Sequence, residues 1–494
     1  RARPPAAWDG APDLRGRHRV WRGTVLDTGD RRGPRRPAGL EREVHALLGD
    51  HPVTDAALGE LRRWRHRAML RVAARDLGGL GPLAEILQET SDIADAVLGA
   101  VLRLVAAPWH ERSGTPHHRG ADGRWQPTAF TVLGLGKLGG QELNFSSDVD
   151  VMFVYAAEGS AFRTTPRGAM PAGAGLSNHQ FFRRVAEGII REVGAPTPAG
   201  PLYRVDVRLR PEGDSGPLVR SLESCENFYA QAGQTWERLM LLKARGVAGD
   251  AALAAEFGEM IQPFRYPRAL SGRLLEEMAG MKARLETEAR RPGELGRRRK
   301  RGRGGIREVE FVAQALQVLN GGKNPFLQTP QTLAALAKLA QYELLPAEDA
   351  GALGAAYAFL RRAEHRLQMA ANAETHTLPA DDAGRRRLAR AMDFPTAAKF
   401  SPALAGHARR VRAVYDRVFG GFTGSGTAPA PDFAAGAGAW RERLRQHGFR
   451  DPGAALPRLR EFVEGPGYIH VSARTSELAL QLVPRLLARC PGTA

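Results

Sequence analysis

The stretch FTVLGLGKLGGQELNFSSDVDVMFVY, Phe130 to Tyr155, constrains this chain more than any other. It reads as strand, glycine turn, short connection, strand. Side chains two apart on a strand share a face. Asp148 and Asp150, at the opening of the second strand, therefore project together, while Val149, Val151 and Phe153 face a core. Two carboxylates held side by side raise each other's pKa unless a cation lies between them. A hard divalent cation with oxygen ligands, Mg²⁺, suits such a pair. The glycines from Gly134 to Gly140 let the backbone approach a ligand and aim N–H groups at phosphate. Metal and phosphate together point to nucleotide chemistry.

Gly134, Gly136 and Gly139 also match the spacing of the dinucleotide fingerprint. That unit needs a full crossover helix after its glycines. Only Gln141 to Ser147 separate Gly140 from Asp148, which argues against it. The plainer alternative is two aspartates facing solvent on an edge strand, and a third carboxylate weighs against that. From Leu202 to Pro211 the pattern alternates strictly. Val205, Val207 and Leu209 face inward, and Arg204, Asp206, Arg208 and Arg210 share the other face. A helix with Phe181, Phe182, Val185, Ile189 and Ile190 on its apolar side, capped by Ser177 or Asn178, would return this strand to the sheet carrying Asp148. Asp206 is then in place as a third metal ligand, and the arginines suit phosphate oxygens.

At 494 residues the chain is long enough for two to four domains. Its formal charge of +18 implies acidic partners such as phosphates, nucleotides or an acidic protein face. Nothing in the sequence marks a DNA-binding module, and the basic excess is spread out, which disfavours nucleic acid. The two cysteines, Cys225 and Cys490, have no metal-ligand spacing. A reducing, cytoplasmic setting fits them. No apolar run reaches the length needed to span a bilayer. The opening RARPPAAWDG has neither an initiator methionine nor an apolar signal region, so the chain reads as a processed or partial one whose true ends are open.

Along the chain, residues 1–40 read as poorly ordered. A helical region follows over 41–120: one helix carries Leu58, Leu61, Trp64, Met69, Leu70 and Val72 and ends near Gly78, and a second is capped by Ser91. His110 to Gln126 reads as a polar loop with solvated His117 and His118. Residues 121–260 form the α/β part, with a mobile loop from Gly159 to Gly175 and helix from Glu223 to Val247. Residues 261–420 read as a helical bundle, with a helix over Leu274 to Glu288 and an antiparallel bundle from Thr329 to Phe419 decorated by Arg361, Arg362, Glu364, His365, Arg366 and Gln368. The basic run Arg297 to Arg303 leads into a helix beginning at Ile306, whose N-terminus is a ready anion site. A Gly/Ala/Pro linker at 421–438 precedes a last helical segment at 439–494.

Three motifs carry a family resemblance: GKLGGQELNFSSDVD at 136–150, RVDVRLRPEG at 204–213 and GGIREVEF at 304–311. Together they resemble the polymerase-beta-like nucleotidyltransferase superfamily and, more closely, the bifunctional glutamine synthetase adenylyltransferase/adenylyl-removing family. Leu61 to Leu77, Phe359 to Gln368 and Thr375 to Pro379 are similar to it as well. The resemblance runs from about residue 58 to 420. It implies a mostly α fold with an α/β core: a nucleotidyltransferase domain built on a small mixed sheet and flanked by helical domains. Family members have two such halves, and this sequence shows one. Asn144 to Ser147 resembles the N-terminal, adenylyl-removing half, so the implied reaction is phosphorolysis of adenylyl-tyrosine on glutamine synthetase to ADP and tyrosine. The PII signalling protein is a further partner the resemblance suggests. The segments 159–175 and 264–270 depart from the family pattern.

On this reading Asp148, Asp150 and Asp206 hold two Mg²⁺ ions, which stabilise the entering and leaving oxygens of an in-line transfer. Gly139, Gly140 and Ser147 hold phosphate oxygens through N–H and hydroxyl groups, and Lys137, Arg208 and Arg210 neutralise phosphate charge. Arg307, with Glu308 and Glu310, borders the site from the helical domain. Positioning and electrostatics suffice for such a transfer. Two rivals stand beside it: a forward, ATP-dependent protein adenylyltransferase, and a catalytically silent module that senses nucleotide or PII.

Overall fold

Three helices precede the sheet, and their starts follow local chemistry. Pro37–Leu48 opens on a proline, whose absent N–H is harmless there. Asp55–Leu77 is capped by Thr54, which accepts the Ala57 N–H. Leu83–Ser113 begins directly behind Pro82. Ser91 is therefore not a cap. It lies inside this last helix, donating to the Leu87 carbonyl at 2.9 Å and accepting the Leu143 N–H at 3.1 Å. Nothing from Leu83 to Thr90 breaks a helix. The polar run that mimicked a cap is buried because it has partners: Glu89 receives both Arg71 and Arg75 from the preceding helix. Buried charges are tolerated where they are paired in this way.

The computed structural model describes residues 33–49, 54–166, 175–198, 200–269, single residues between 274 and 281, 303–371, 375, 377–420 and 437–464. Two sheets occur within them. A small antiparallel one has the order β2 (Trp125–Pro127), β1 (Thr115–Arg119), β5 (Ser160–Phe162). Its β1 lies where a polar loop was expected, and His117 and His118 are buried rather than solvated. The sequence TPHHR lacks apolar alternation. It is a strand because of its partners, with His118 Nδ1 3.0 Å from Thr128 Oγ1. Ser160–Phe162 likewise gives strand structure to part of the loop expected over 159–175, of which residues 167–174 lie outside the described residues.

The larger sheet runs β6 (Val205–Asp206), β4 (Val149–Tyr155), β3 (Phe130–Gly134), β8 (Arg245–Gly249), with β7 (Val219–Ser221) also beside β4. β3 and β4 are antiparallel, with Gly134 opposite Val151, so no Rossmann crossover links them. β6 and β7 both pair parallel to β4. The returning helix is Asn178–Gly194, capped by Ser177 in a reciprocal pair with Gln180. Two expectations are corrected. Arg245–Gly249 is a strand, preceded by the short helices Leu222–Gln231 and Thr235–Leu241; pairing with β3 overrides its weak local signal. β6 ends at Asp206 because the Asp206 side chain takes the Arg208 N–H at 2.9 Å, turning the chain out of the strand.

Val149, Val151 and Phe153 face the first hydrophobic cluster, which runs unbroken from Leu40 on the first helix to Val247 on β8. Met152 and Val154 face a second, with Leu133, Cys225, Tyr229, Leu241 and Phe257. β4 is thus covered on both faces beyond Asp150. Burial pushes the Cys225 thiol up to about 12, so it behaves as an inert apolar group.

The expected helical bundle is present as Thr332–Gln341, Ala347–Ala371, Asp382–Ala391 and Ala397–Gly420, preceded by Ile306–Asn320. Its polar residues are not surface decoration: Arg361, Glu364, His365, Arg366 and Gln368 are all buried. Arg366 clasps the Asp76 carboxylate and backbone carbonyl, tying the 347–371 helix to the end of the 55–77 helix. Burial opposes charge on Asp76, but His365 and Arg366 together hold its carboxyl down at about 2.

The chain divides between Asp416 and Arg417. The second unit holds the packed helices Ala437–Gln446 and Pro452–Glu464. Residues 1–32, the basic run up to 302, most of the helix expected over 274–288, and residues 421–436 and 465–494 lie outside the described residues. No helix among the described residues is long and apolar enough to cross a membrane.

Candidate active site

The chain leaves β3 through Leu135 into one short helical turn, Gly136–Gly139. Two glycines there are dictated by space. Gly136 sits at φ +52°, and a Cβ on it would lie 2.5 Å from Asp150 Oδ2. A Cβ on Gly139 would lie 1.9 Å from the Lys243 carbonyl oxygen. These contacts let the turn close over Asp150 and against the segment entering β8. They also correct one expectation. The Gly139 N–H donates to Leu135 O at 3.0 Å and the Gly140 N–H to Gly136 O at 3.1 Å, so neither amide is aimed at a phosphate. Close packing is what requires glycine here.

From Gln141 to Asp148 the loop is tied down residue by residue. The Glu142 N–H donates to Lys137 O at 2.7 Å, and the Asn144 N–H to Ser147 Oγ at 3.4 Å. The Ser146 N–H donates to Gln368 Oε1 at 3.0 Å. Lys137 Nζ donates to Ser147 Oγ at 3.1 Å and lies 3.8 Å from Glu364. Ser147 is buried, and its hydroxyl orients Lys137 and the loop. Beneath the loop Lys243 Nζ contacts Glu142 at 2.7 Å and Glu310 at 3.2 Å, and Arg361 donates to the Glu142 carbonyl. The carboxylates raise the Lys243 pKa despite its burial.

The register of the sheet assembles the acids. Asp150 is the direct partner of Asp206 across the parallel β4–β6 ladder. Asp148 lies two residues before Asp150, just ahead of the first residue of β4. Asp148 is bonded to Arg204, and Asp206 to Arg208. The hydrogen bond from Arg208 holds the Asp206 carboxyl below its ordinary range. Among the described residues no three acidic, His or Cys side chains already converge as a metal-holding group. Even so, the donor types fit a hard cation: the carboxylates of Asp150 and Asp206 stand opposite each other on adjacent strands, with Asp148 just ahead of β4, under a glycine turn that leaves room for Asp150. Arg204 and Arg208 are largely exposed, with side-chain accessibilities of 47% and 71%. Such surface pairs are weak and open at little cost.

The remaining candidates sort by their contacts. Arg208 stays at the acids. Arg210 does not: it is buried, donating to Val207 O at 2.7 Å and to Gly216 O, and it closes the turn after β6. Arg307 lies half-buried in the first turn of Ile306–Asn320. Glu308 accepts the Gly304 N–H at 2.9 Å and Arg412 at 3.0 Å, and Glu310 belongs to Lys243. Both glutamates are structural. Sequence reasoning overlooked Lys243, Glu142, Arg361, Glu364 and Gln368 at the site. The signal was the crowding of charge in FLRRAEHRLQ at 359–368, too dense for one exposed helix stripe.

Residues 17–260 match the family model of glutamate-ammonia ligase adenylyltransferase. These residues form a domain of that family. The chain is 40% identical, over 95% of its length, to the bifunctional glutamine synthetase adenylyltransferase/adenylyl-removing enzyme of Thioalkalivibrio sulfidiphilus, and covers 48% of that protein. It is 36% identical, over 94% of its length, to the enzyme of the same name from Pseudomonas aeruginosa, covering 47%. The chain thus spans about half the length of the curated relatives it matches. Residues 279–419 match a second family model, the GlnD PII-uridylyltransferase. The first match, the adenylyltransferase-family domain, contains the sheet, the acids and the Gly136 turn. The described part of the second is the helical region that supplies Arg361, Glu364 and Gln368.

Proposed function

We propose that this chain is an adenylyl-removing nucleotidyltransferase that acts on glutamine synthetase with inorganic phosphate. The observation that carries the reading is the in-register pairing of Asp150 with Asp206, with Asp148 two residues upstream, in a chain whose relatives are named for adenylyl transfer and removal. In the reaction a phosphate oxygen attacks the phosphorus of the tyrosine-linked AMP. The bond from that phosphorus to the tyrosine oxygen breaks, ADP forms, and the tyrosine oxygen takes up a proton.

Asp148, Asp150 and Asp206 would hold Mg²⁺, which when bound supplies Lewis-acid stabilisation of the entering and leaving oxygens. Lys137, held by Ser147 and 3.8 Å from Glu364, would neutralise phosphate charge. Arg204 and Arg208, the exposed partners of Asp148 and Asp206, turn to phosphate oxygens once the carboxylates are otherwise engaged. Arg307 borders the site from the helical region. The adenylyl-removing direction rests on the resemblance of Asn144 to Ser147 to the family's N-terminal half. A PII-type protein as regulator is supported by the name of the family matched over 279–419.

The test mixes the chain with adenylylated glutamine synthetase, Mg²⁺ and phosphate, and follows the synthetase subunit mass and free ADP. Loss of AMP with matching ADP, abolished in Asp148→Ala/Asp150→Ala, is the expected result. Gain of AMP from ATP in place of loss would make the chain the forward transferase. Nucleotide binding with neither reaction would leave a sensing module.

A further inference from the structure

The loop that delivers Asp148 has little support of its own. Between Asn144 and Ser147 its internal hydrogen bond is the 3.4 Å contact from the Asn144 N–H to Ser147 Oγ, and the buried Asn144 side-chain amide finds no hydrogen-bond partner among the described residues. Its support comes from another part of the chain. Arg361, Glu364, His365 and Gln368 recur at spacings of three and four, so they share one face of the Ala347–Ala371 helix. All four are buried, and they meet the loop and the turn before it. Arg361 donates to the Glu142 carbonyl, Glu364 lies 3.8 Å from Lys137, the His365 ring packs 6.1 Å from Phe145, and Gln368 accepts the Ser146 N–H. Lys137 completes the clamp through Ser147, the residue before Asp148.

We propose that Gln368, with Arg361 and Glu364, is a positioning residue for the acidic site. It fixes the Ser146 amide, and through it the approach of Asp148 to Asp150 and Asp206, so cation capture depends on the docked 347–371 helix. This rests on the reading of the three aspartates as the transfer site. The nearest group that Gln368 touches is two residues from Asp148, so it acts through the loop. Without its acceptor the loop keeps its packing but loses the register that presents Asp148.

The experiment measures cation binding and turnover separately. Mn²⁺ binding to the intact chain is followed by electron paramagnetic resonance, in wild type, in Asp148→Ala/Asp150→Ala and in two variants at Gln368. Gln368→Met keeps the shape and removes the acceptor, whereas Gln368→Glu keeps an acceptor oxygen. The expected result for a folded Gln368→Met is a several-fold weaker Mn²⁺ affinity, a roughly tenfold lower kcat and an unchanged KM for the protein substrate, with Gln368→Glu recovering most of each. Wild-type Mn²⁺ affinity and kcat in Gln368→Met overturn the proposal. So does a wild type that binds no Mn²⁺ through Asp148 and Asp150. If Gln368→Met does not fold, Glu364→Gln carries the same test, and unchanged Mn²⁺ affinity there overturns it. Should wild type neither remove nor add AMP, yet bind Mn²⁺ in a way that Gln368→Met weakens, the functional reading fails and the positioning role stands.

Discussion

Lys243 is the sharpest place to test whether the site's foundation is electrostatic. Its ammonium is buried, 2.7 Å from Glu142, 3.2 Å from Glu310 and 3.4 Å from Thr332 Oγ1. Lys243→Met keeps the length of the stem and removes the charge. Two carboxylates then remain beneath the loop without their shared cation. Removing one member of a buried ion pair costs about 3–5 kcal/mol, because the charge left behind is uncompensated. In a body of this size that is a fall in midpoint of about 5 °C. The penalty has a pH signature. Glu310 is half-buried, and its desolvation alone would raise its pKa, but Lys243 and Arg361 hold it below its ordinary range. Its contribution is therefore present above the unfolded carboxylate pKa and is lost as pH falls through the lower, folded one. In the variant burial acts unopposed by Lys243, so Glu310 takes up a proton more readily. The gap between variant and wild type is greatest near pH 8 and narrows towards pH 5. Urea unfolding at both pH values measures it, and adding Glu310→Gln to Lys243→Met restores about 1 kcal/mol or more. A variant within about 1 kcal/mol of wild type at pH 8, with a gap independent of pH, would refute the reasoning.

Three further outcomes are expected. Asp206→Asn lowers adenylyl transfer or removal by about 10²-fold or more while leaving the thermal midpoint near wild type, since its partner Arg208 is exposed; parallel activity and melting assays separate the two. Gly139→Ala forces a Cβ against the Lys243 carbonyl, a backbone atom that cannot swing aside, and destabilises by about 3 kcal/mol in urea unfolding. Burial raises the Asp92 carboxyl to about 6, so in wild type the cost of ionising it is absent below the ordinary carboxylate pKa and complete above pH 6. Asp92→Asn therefore stabilises the fold by about 2 kcal/mol at pH 8 and leaves it unchanged near pH 4 when both are unfolded in urea.

What could be read from the sequence was local and periodic. The alternation of Val149, Val151 and Phe153 named the core face of β4. The cap at Ser177 and the helix it starts were also legible, and that helix is what returns the chain to place Asp206 beside Asp150. What could not be read depended on partners distant in the chain. Ser91 looks like a cap until Leu143, 52 positions away, claims its hydroxyl. Arg245–Gly249 has no strand pattern, and β3 makes it one. Arg210 looks like a phosphate ligand until the Val207 and Gly216 carbonyls take its guanidinium.

Several polar residues thus turned out to be internal partners of other polar groups. The densest set lies around the 142–147 loop, where helices from three stretches of chain meet the sheet: Ser91 from 83–113, Thr332 from 332–341, and Arg361 and Gln368 from 347–371. An apolar clamp could hold such a loop, but it would not fix the direction of individual amides, because burial is non-directional. Hydrogen bonds to Leu143, Ser146 and the Glu142 carbonyl do fix it. The polar core is therefore what one expects where a loop must present a carboxylate to within a fraction of an ångström. On the proposed positioning role, the helical region is part of the site's precision as well as a flank to it.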